Sequence, residues 1–142
     1  MTGLLGLGTL TLLAVALALA GVDNLPPEIS QEHNAGKRSE LAIDFADKLI
    51  DQARTYYESG AAERGDDELE LAGALADECY KAARKAHKAK YWKKAEQKVS
   101  ALSRRVQALM EDLDFSRRDK AKDLVEHLDS IHDKLLAGVM GK

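Results

Sequence analysis

The chain has 142 residues, 45% of them hydrophobic, and a formal net charge of −3. This length allows one domain with a modest core and excludes two. So small a net charge creates no field that would recruit nucleic acid, which is excluded as a partner. A single cysteine, Cys79, excludes a fold held together by internal disulfides, so stability must come from packing. We expect Cys79 to be a buried thiol on a helix, with an intermolecular disulfide as the alternative.

The chain starts with a long apolar segment. Residues 3–22 contain no charged side chain, and twenty residues of helix would span ~30 Å, the thickness of the hydrocarbon core of a bilayer. Ala18 and Ala20 before Gly21 also fit the A-x-A pattern of a signal-peptide cleavage site, although no Lys or Arg precedes the apolar run. Residues 1–22 are therefore predicted to be a signal peptide or a membrane anchor. Both alternatives send the rest of the chain to the periplasm or cell envelope, in the second case anchored in the inner membrane.

The remainder of the chain has the composition and periodicity of an α-helical protein. No proline occurs after Pro27 and no glycine between Gly73 and Gly138, so the turns that strands and hairpins need are missing. Apolar residues recur instead at steps of three and four in four separate stripes, each of which predicts one buried helix face. The stripes are Ile43, Ala46, Ile50, Ala53 and Tyr57; Leu69, Ala72, Ala76, Cys79, Ala83 and Ala86; Trp92, Ala95, Val99, Leu102, Val106, Leu109 and Leu113; and Ala121, Leu124, Leu128, Ile131 and Leu135.

Three breaks are expected between these helices, near residues 60, 89 and 115. Gly60 supplies the left-handed residue that often ends a helix. The second break has no turn residue, but the apolar stripe shifts by two positions between Ala86 and Trp92. Such a shift turns the buried face by roughly 200°, which one straight helix cannot accommodate. At the third break, Ser116 with Asp119 three residues later predicts a helix N-cap.

Short connections make successive helices antiparallel neighbours. We therefore predict an all-α domain at residues 36–142, built either as a four-helix antiparallel bundle or as two stacked helical hairpins. Residues 23–35 are assigned as a linker between the N-terminal hydrophobic segment and this domain.

A basic cluster surrounds two aromatic residues at the second break. It would bind an anionic surface, such as membrane headgroups, an acidic polymer or the acidic patch of a protein partner. The alternative interpretation is a solvated helix end that carries a core tryptophan. The candidate partner-binding residues are Lys88, Lys90, Tyr91, Trp92, Lys93 and Lys94.

The chain contains no sequence motif typical of catalysis, phosphate binding or metal binding. Of the four histidines, only His132 follows a carboxylate at the spacing of a di-iron site, in Asp129-x-x-His132, and no second copy of this motif occurs. Ile131 occupies the buried position on that face, so His132 is expected at its edge. The chain is therefore predicted to have no enzymatic activity, no cofactor and no bound metal.

Two resemblances to known families add to this interpretation. Tyr57-x-x-Gly60 followed by Gly65, Leu69 and Ala72 resembles one helix–turn–helix unit of a tetratricopeptide repeat, which implies a helical hairpin. Residues 40–142 also resemble uncharacterised exported helical proteins of the acidobacterial type, which implies the same fold and an envelope location but no activity. The segments that carry this second resemblance are Ala46-Asp47-Lys48, Tyr57-x-x-Gly60, Tyr91-Trp92-Lys93-Lys94-Ala95-Glu96, residues 115–118 and the ending from Ile131 to Lys142.

These observations leave two functions of different classes. The first is a non-catalytic interaction or scaffold module of the cell envelope, with an unknown protein partner and contact with the membrane surface. The alternative is a small periplasmic helical stress protein that binds metal ions or unfolded chains. Proteins of that second kind are usually rich in Met or His, and this chain has three Met and four His, which favours the first function.

Overall fold

The computed structural model describes residues 25–141, in which four long α-helices and no strand are found. The prediction of an all-α fold is confirmed. A short helix, α1 (Pro27–Ser30), comes first. The long helices are α2 (Ala35–Glu58), α3 (Ala62–Ala86), α4 (Ala89–Asp112) and α5 (Asp119–Met140), with a 3₁₀ turn at Phe115–Arg117 before α5. The predicted signal peptide or anchor at residues 1–22 lies outside the described residues.

The three predicted breaks are confirmed, although their chemistry differs from the expectation at two of them. Gly60 has a left-handed backbone with φ of 84°, as expected. His87 ends α3 in the same region with φ of 54°, which only a few per cent of residues other than glycine adopt. The N-cap predicted at Ser116 is wrong, because Ser116 lies within the 3₁₀ turn and α5 begins at Asp119 without a side-chain cap.

The four long helices form two antiparallel hairpins, α2 with α3 and α4 with α5. The hairpins stack so that α2 lies against α4 and α3 lies against α5, whereas the consecutive helices α3 and α4 meet over fewer residues. Ion pairs give the direction of the stacking: Glu40 with Lys94 and Asp44 with Lys98 join α2 to α4 in ascending order. The stacked helices are therefore parallel to each other, and of the two predicted architectures the stacked hairpins describe the molecule better.

The predicted apolar stripes form the core. Every stripe residue is buried except Ala86 and Trp92, which are half-buried where the two hairpins meet. The stretch assigned as a linker also contributes to this core, because Ile29 of α1 is fully buried. Arg38 holds α1 in place by donating a hydrogen bond to the carbonyl oxygen of Ser30 at 3.4 Å.

One consequence of the stacking is that each end of the molecule collects one terminus of every long helix. One of these two ends contains the start of α2, the end of α3, the start of α4 and the end of α5. The packing of Gly36 against Tyr91 and of Gly138 against Trp92 shows this arrangement. None of the helices within residues 25–141 combines the length and the apolar character that crossing a membrane requires.

Candidate docking surface at one end of the fold

Exposed basic side chains concentrate at this end of the molecule. They come from the last turns of α3, the connection to α4, the first turns of α4 and the last turns of α5, so the stacking brings together residues that are far apart in the sequence. We call this surface the basic end; its members are Lys81, Arg84, Lys85, Lys88, Lys90, Lys93 and Lys134, all of which are exposed.

These seven cations make no ion pair with any carboxylate of residues 25–141, and this separates them from their neighbours on α4. Lys94 lies 2.9 Å from Glu40 Oε1 and Lys98 lies 2.6 Å from Asp44 Oδ1. The hydrogen bond to Glu40, together with its charge, raises the pKa of Lys94. Charges that hold two helices together are already neutralised, so Lys94 is a structural residue whereas Lys88, Lys90 and Lys93 remain open to a partner.

The two aromatic residues predicted for the site are packing residues. The ring of Tyr91 rests on Gly36, where an added Cβ would lie 2.2 Å from Tyr91 Cζ. The ring of Trp92 rests on Gly138 of α5, where an added Cβ would lie 2.1 Å from Trp92 Cζ3. Both rings therefore fix the start of α4 against α2 and α5, and they hold the surrounding lysines on a rigid support.

Tyr80 organises a second part of the basic end, which the sequence did not reveal as a unit. Its ring meets Trp92 edge to face at 6.2 Å between centroids. Arg84 lies 5.5 Å and Lys134 lies 5.8 Å from the centre of the Tyr80 ring. The Tyr80–Arg84 spacing of four residues places the pair on one helix face, but Lys134 belongs to another helix and could not be associated with them from the sequence.

Apolar side chains border the cations at the same end. Met140 is 78% exposed and Leu136 is 36% exposed, and both lie in the last turns of α5, one helical turn apart. Single exposed apolar residues are ordinary on a protein surface. The pair lies on the side of α5 away from Gly138 and Trp92 but in the same last turns of the helix, so this end of the molecule has both positive charge and exposed apolar side chains.

The chain enters the domain at this end and is fixed there. Arg38 Nε donates a hydrogen bond to Glu78 Oε1 at 2.6 Å, and the side chain of Glu78 is 7% exposed. Because the same Arg38 also holds the carbonyl of Ser30, this pair joins α1, α2 and α3. Removing Arg38 would leave the charge of the buried Glu78 without compensation, which is strongly destabilising.

The histidines and the cysteine do not assemble into a reactive or metal-binding site in the part of the chain that the structure describes. No group of three or more potential ligands is found there. His127 bonds to Asp77 at 2.8 Å and His132 bonds to Glu96 at 3.0 Å, and the other ring nitrogen of His132 lies 4.0 Å from Asp133 Oδ1. Ile131 is buried and His132 lies beside it at the edge, as predicted.

Cys79 is fully buried, as predicted for a thiol on a helix. Burial raises the pKa of its thiol to about 11, although a hydrogen bond with Ser39 acts in the opposite direction. The Ser39 hydroxyl donates to the Cys79 carbonyl oxygen at 2.8 Å. A protonated and inaccessible thiol of this kind is inert.

A cavity of about 160 Å³ lies at the opposite end, lined by Arg54, Tyr57, Asp112 and Arg117 among others. Three of its polar side chains already have partners: Arg54 contacts Asp112 at 2.7 Å within the lining, and the Tyr57 hydroxyl donates to Asp66 outside it. Burial, followed by this bond, raises the pKa of Tyr57 well above its usual range. A phenol that stays protonated provides no general base, so this cavity is a weaker candidate than the basic end.

Comparison with known proteins finds no matching family model, no similar curated protein and no similar solved structure.

Proposed function

We propose that this protein is a non-catalytic interaction or scaffold module of the cell envelope that binds an anionic partner through its basic end. Residues 3–22 are the targeting segment in this proposal, since twenty uncharged, mostly apolar residues direct a chain to the membrane. The single observation that supports the binding surface is the set of seven exposed cations without an ion pair among residues 25–141.

The basic end differs from its immediate surroundings in its unpaired charge. The neighbouring cations Lys94, Lys98 and Arg105 are paired with carboxylates of α2, whereas the seven cations of the basic end have no such partner among residues 25–141. Unpaired charges held close together repel each other, and that repulsion is relieved when an acidic surface binds. The packing of Tyr91 and Trp92 on glycines fixes the backbone at the start of α4 from which the lysines extend.

The test compares three forms of the full chain produced in its native organism: wild type, a basic-end reversal and a matched control. The basic-end reversal is Lys88→Glu, Lys90→Glu and Lys93→Glu. The control is Lys48→Glu, Arg104→Glu and Lys122→Glu, which changes the net charge equally at exposed positions outside the basic end. Envelope components that cross-link to wild type in the cell should also cross-link to the control, and the basic-end reversal should lose them. Retention of the same components by the reversal, or their equal loss from both variants, would refute the proposed binding surface.

A further inference from the structure

We propose that the anionic surface bound by the basic end is the phospholipid headgroup layer of a membrane. The inference rests on the proposed function for the use of the basic end, and it names the partner: a bilayer that contains anionic lipid. Three features of the molecule support this inference.

The first feature is the point at which the chain enters the domain. The apolar run ends at Val22, three residues before Leu25, and three residues of chain span at most ~11 Å. Leu25 packs against the core, and Ser30 is bonded to Arg38 in the first turns of α2. The segment with affinity for lipid is therefore joined to the domain at the basic end. While that segment is attached, no other surface of the domain is tied so closely to the bilayer.

The second feature is the mixture of cations with exposed apolar side chains. Leu136 and Met140 share one face of the last turns of α5, and Lys134 lies on a different face of the same turns. Membrane-surface helices combine Lys and Arg with apolar residues in this manner, because the cations contact headgroups while the apolar side chains enter the boundary with the acyl chains. An acidic protein patch would attract the cations and leave Met140 in water.

The third feature is the distribution of charge along α3. Glu63, Asp66 and Asp67 lie in its first turns, and Arg84 and Lys85 lie in its last turn. Burial and the neighbouring carboxylates raise the pKa of Asp67, which reflects the crowding of negative charge at that end. An anionic bilayer attracts one end of this helix and repels the other, so the charges of α3 favour the orientation with the basic end toward the membrane.

The expected strength of binding to the anionic membrane follows from the number of lysines at the basic end. One Lys or Arg near an anionic membrane surface favours the docked state by a factor of about five. Loss of the three lysines in the basic-end reversal should therefore lower the ratio of docked to undocked molecules by more than about 100-fold. The effect should also disappear at high salt, because the Debye length falls from ~10 Å at 0.1 M to ~3 Å at 1 M.

The chain carries its own probe for the test. Trp92 is the only tryptophan, and it lies half-buried at the basic end. The purified full chain is reconstituted into phosphatidylcholine vesicles with or without phosphatidylglycerol, both containing headgroup spin-labelled lipid. Quenching of Trp92 fluorescence should rise when phosphatidylglycerol is present, and 1 M NaCl should remove that rise. The control reversal should match wild type, and the basic-end reversal should show no rise.

Two further readouts separate the possible outcomes. Leu136→Ser with Met140→Ser should reduce the quenching without any change of charge, and circular dichroism should show that each variant keeps its helical spectrum. Equal quenching in both kinds of vesicle, or an unchanged signal in the basic-end reversal, would overturn the lipid inference. If quenching fails in this way while the basic-end reversal still loses a cross-linked envelope protein, the proposed function stands and its partner is an acidic protein.

Discussion

Three aromatic rings of this fold each pack against one glycine of another helix. Tyr91 rests on Gly36, Trp92 rests on Gly138, and Tyr57 rests on Gly65. A glycine in a helix interior costs ~0.5–1 kcal/mol relative to alanine, so such positions are usually unfavourable. Here the missing Cβ lets an aromatic ring approach the backbone, and burial of the ring offsets that cost.

Substitution of Gly138 tests the contact between Trp92 and Gly138. Gly138→Ala places a Cβ 2.1 Å from Trp92 Cζ3, so the indole must leave its site and the substitution should destabilise the protein by ~1–3 kcal/mol. Gly73→Ala is the matched control, because its Cβ would lie 3.4 Å from Leu124 Cδ1, an ordinary contact. The control should be neutral or up to ~1 kcal/mol more stable.

Urea unfolding followed by circular dichroism measures both variants, and a shift of the Trp92 emission in Gly138→Ala would report the displaced ring. A rise in stability in both variants would show that the ring is not seated on Gly138.

The residues of the candidate site could be predicted only in part. Lys90, Lys93 and Lys94 belong to no apolar stripe of the sequence, and the structure finds them exposed. Lys94 has the same local sequence environment, but its partner Glu40 lies on a helix that is stacked and not adjacent in the chain. Lys134 joins the site from α5 for the same reason. Local sequence shows which side chains face outward, but it does not show which of them meet a charge from another element.

At the scale of the element, periodicity was the most informative signal. The spacing of three and four placed almost every stripe residue in the core. The residues at which the helices begin and end were predicted less accurately. His87 adopts a left-handed backbone, which histidine does more often than most residues but far less often than glycine, and the 3₁₀ turn displaces the start of α5 beyond Ser116. The ends are set by the geometry with which the hairpins meet, and a local capping pattern does not contain that information.

The stripe of α4 predicts how substitutions on one helix should differ. Leu102 is 1% exposed in the middle of the stripe, so Leu102→Ala should cost ~2–5 kcal/mol through lost burial and the remaining cavity. Arg104 is exposed and bonds only within its own helix, to Ser100, so Arg104→Ala should change stability by less than ~0.5 kcal/mol.

Arg105 falls between these limits, although its position beside Arg104 would predict the same tolerance. It bridges Asp47 and Asp51 of α2, with its side chain 38% exposed. Because solvent screens these contacts, Arg105→Ala should cost at most ~1 kcal/mol. Thermal unfolding of the three variants should give this order, and equal losses at Leu102 and Arg104 would show that the buried face of α4 is misassigned.

For the whole molecule, the sequence predicted four helices but left two arrangements open. An apolar stripe shows that a face is buried, yet any other apolar face can cover it. The arrangement observed is defined by pairs that join the hairpins in register: Asp44 with Lys98 and Arg54 with Asp112 along α2 and α4, and Glu70 with Lys120 between α3 and α5. These pairs are weak individually, but each one is satisfied only when the hairpins stack in parallel with this register.

A charge swap tests this stacking directly. Lys98 Nζ lies 2.6 Å from Asp44 Oδ1, so Asp44→Lys alone should place two positive charges together, and Lys98→Asp alone should place two negative charges together. The double variant restores an opposite pair, so its stability should exceed the sum of the single effects by ~0.2–1 kcal/mol. Asp44→Lys combined with Lys122→Asp is the control, because Lys122 lies on α5, which is not the helix stacked on α2.

Urea unfolding of the six proteins, wild type included, gives both coupling energies. Coupling for Asp44 with Lys98 and none for Asp44 with Lys122 is expected, because only the stacked hairpins bring the first pair into contact. Zero coupling for both pairs would mean that α2 and α4 do not meet in this register.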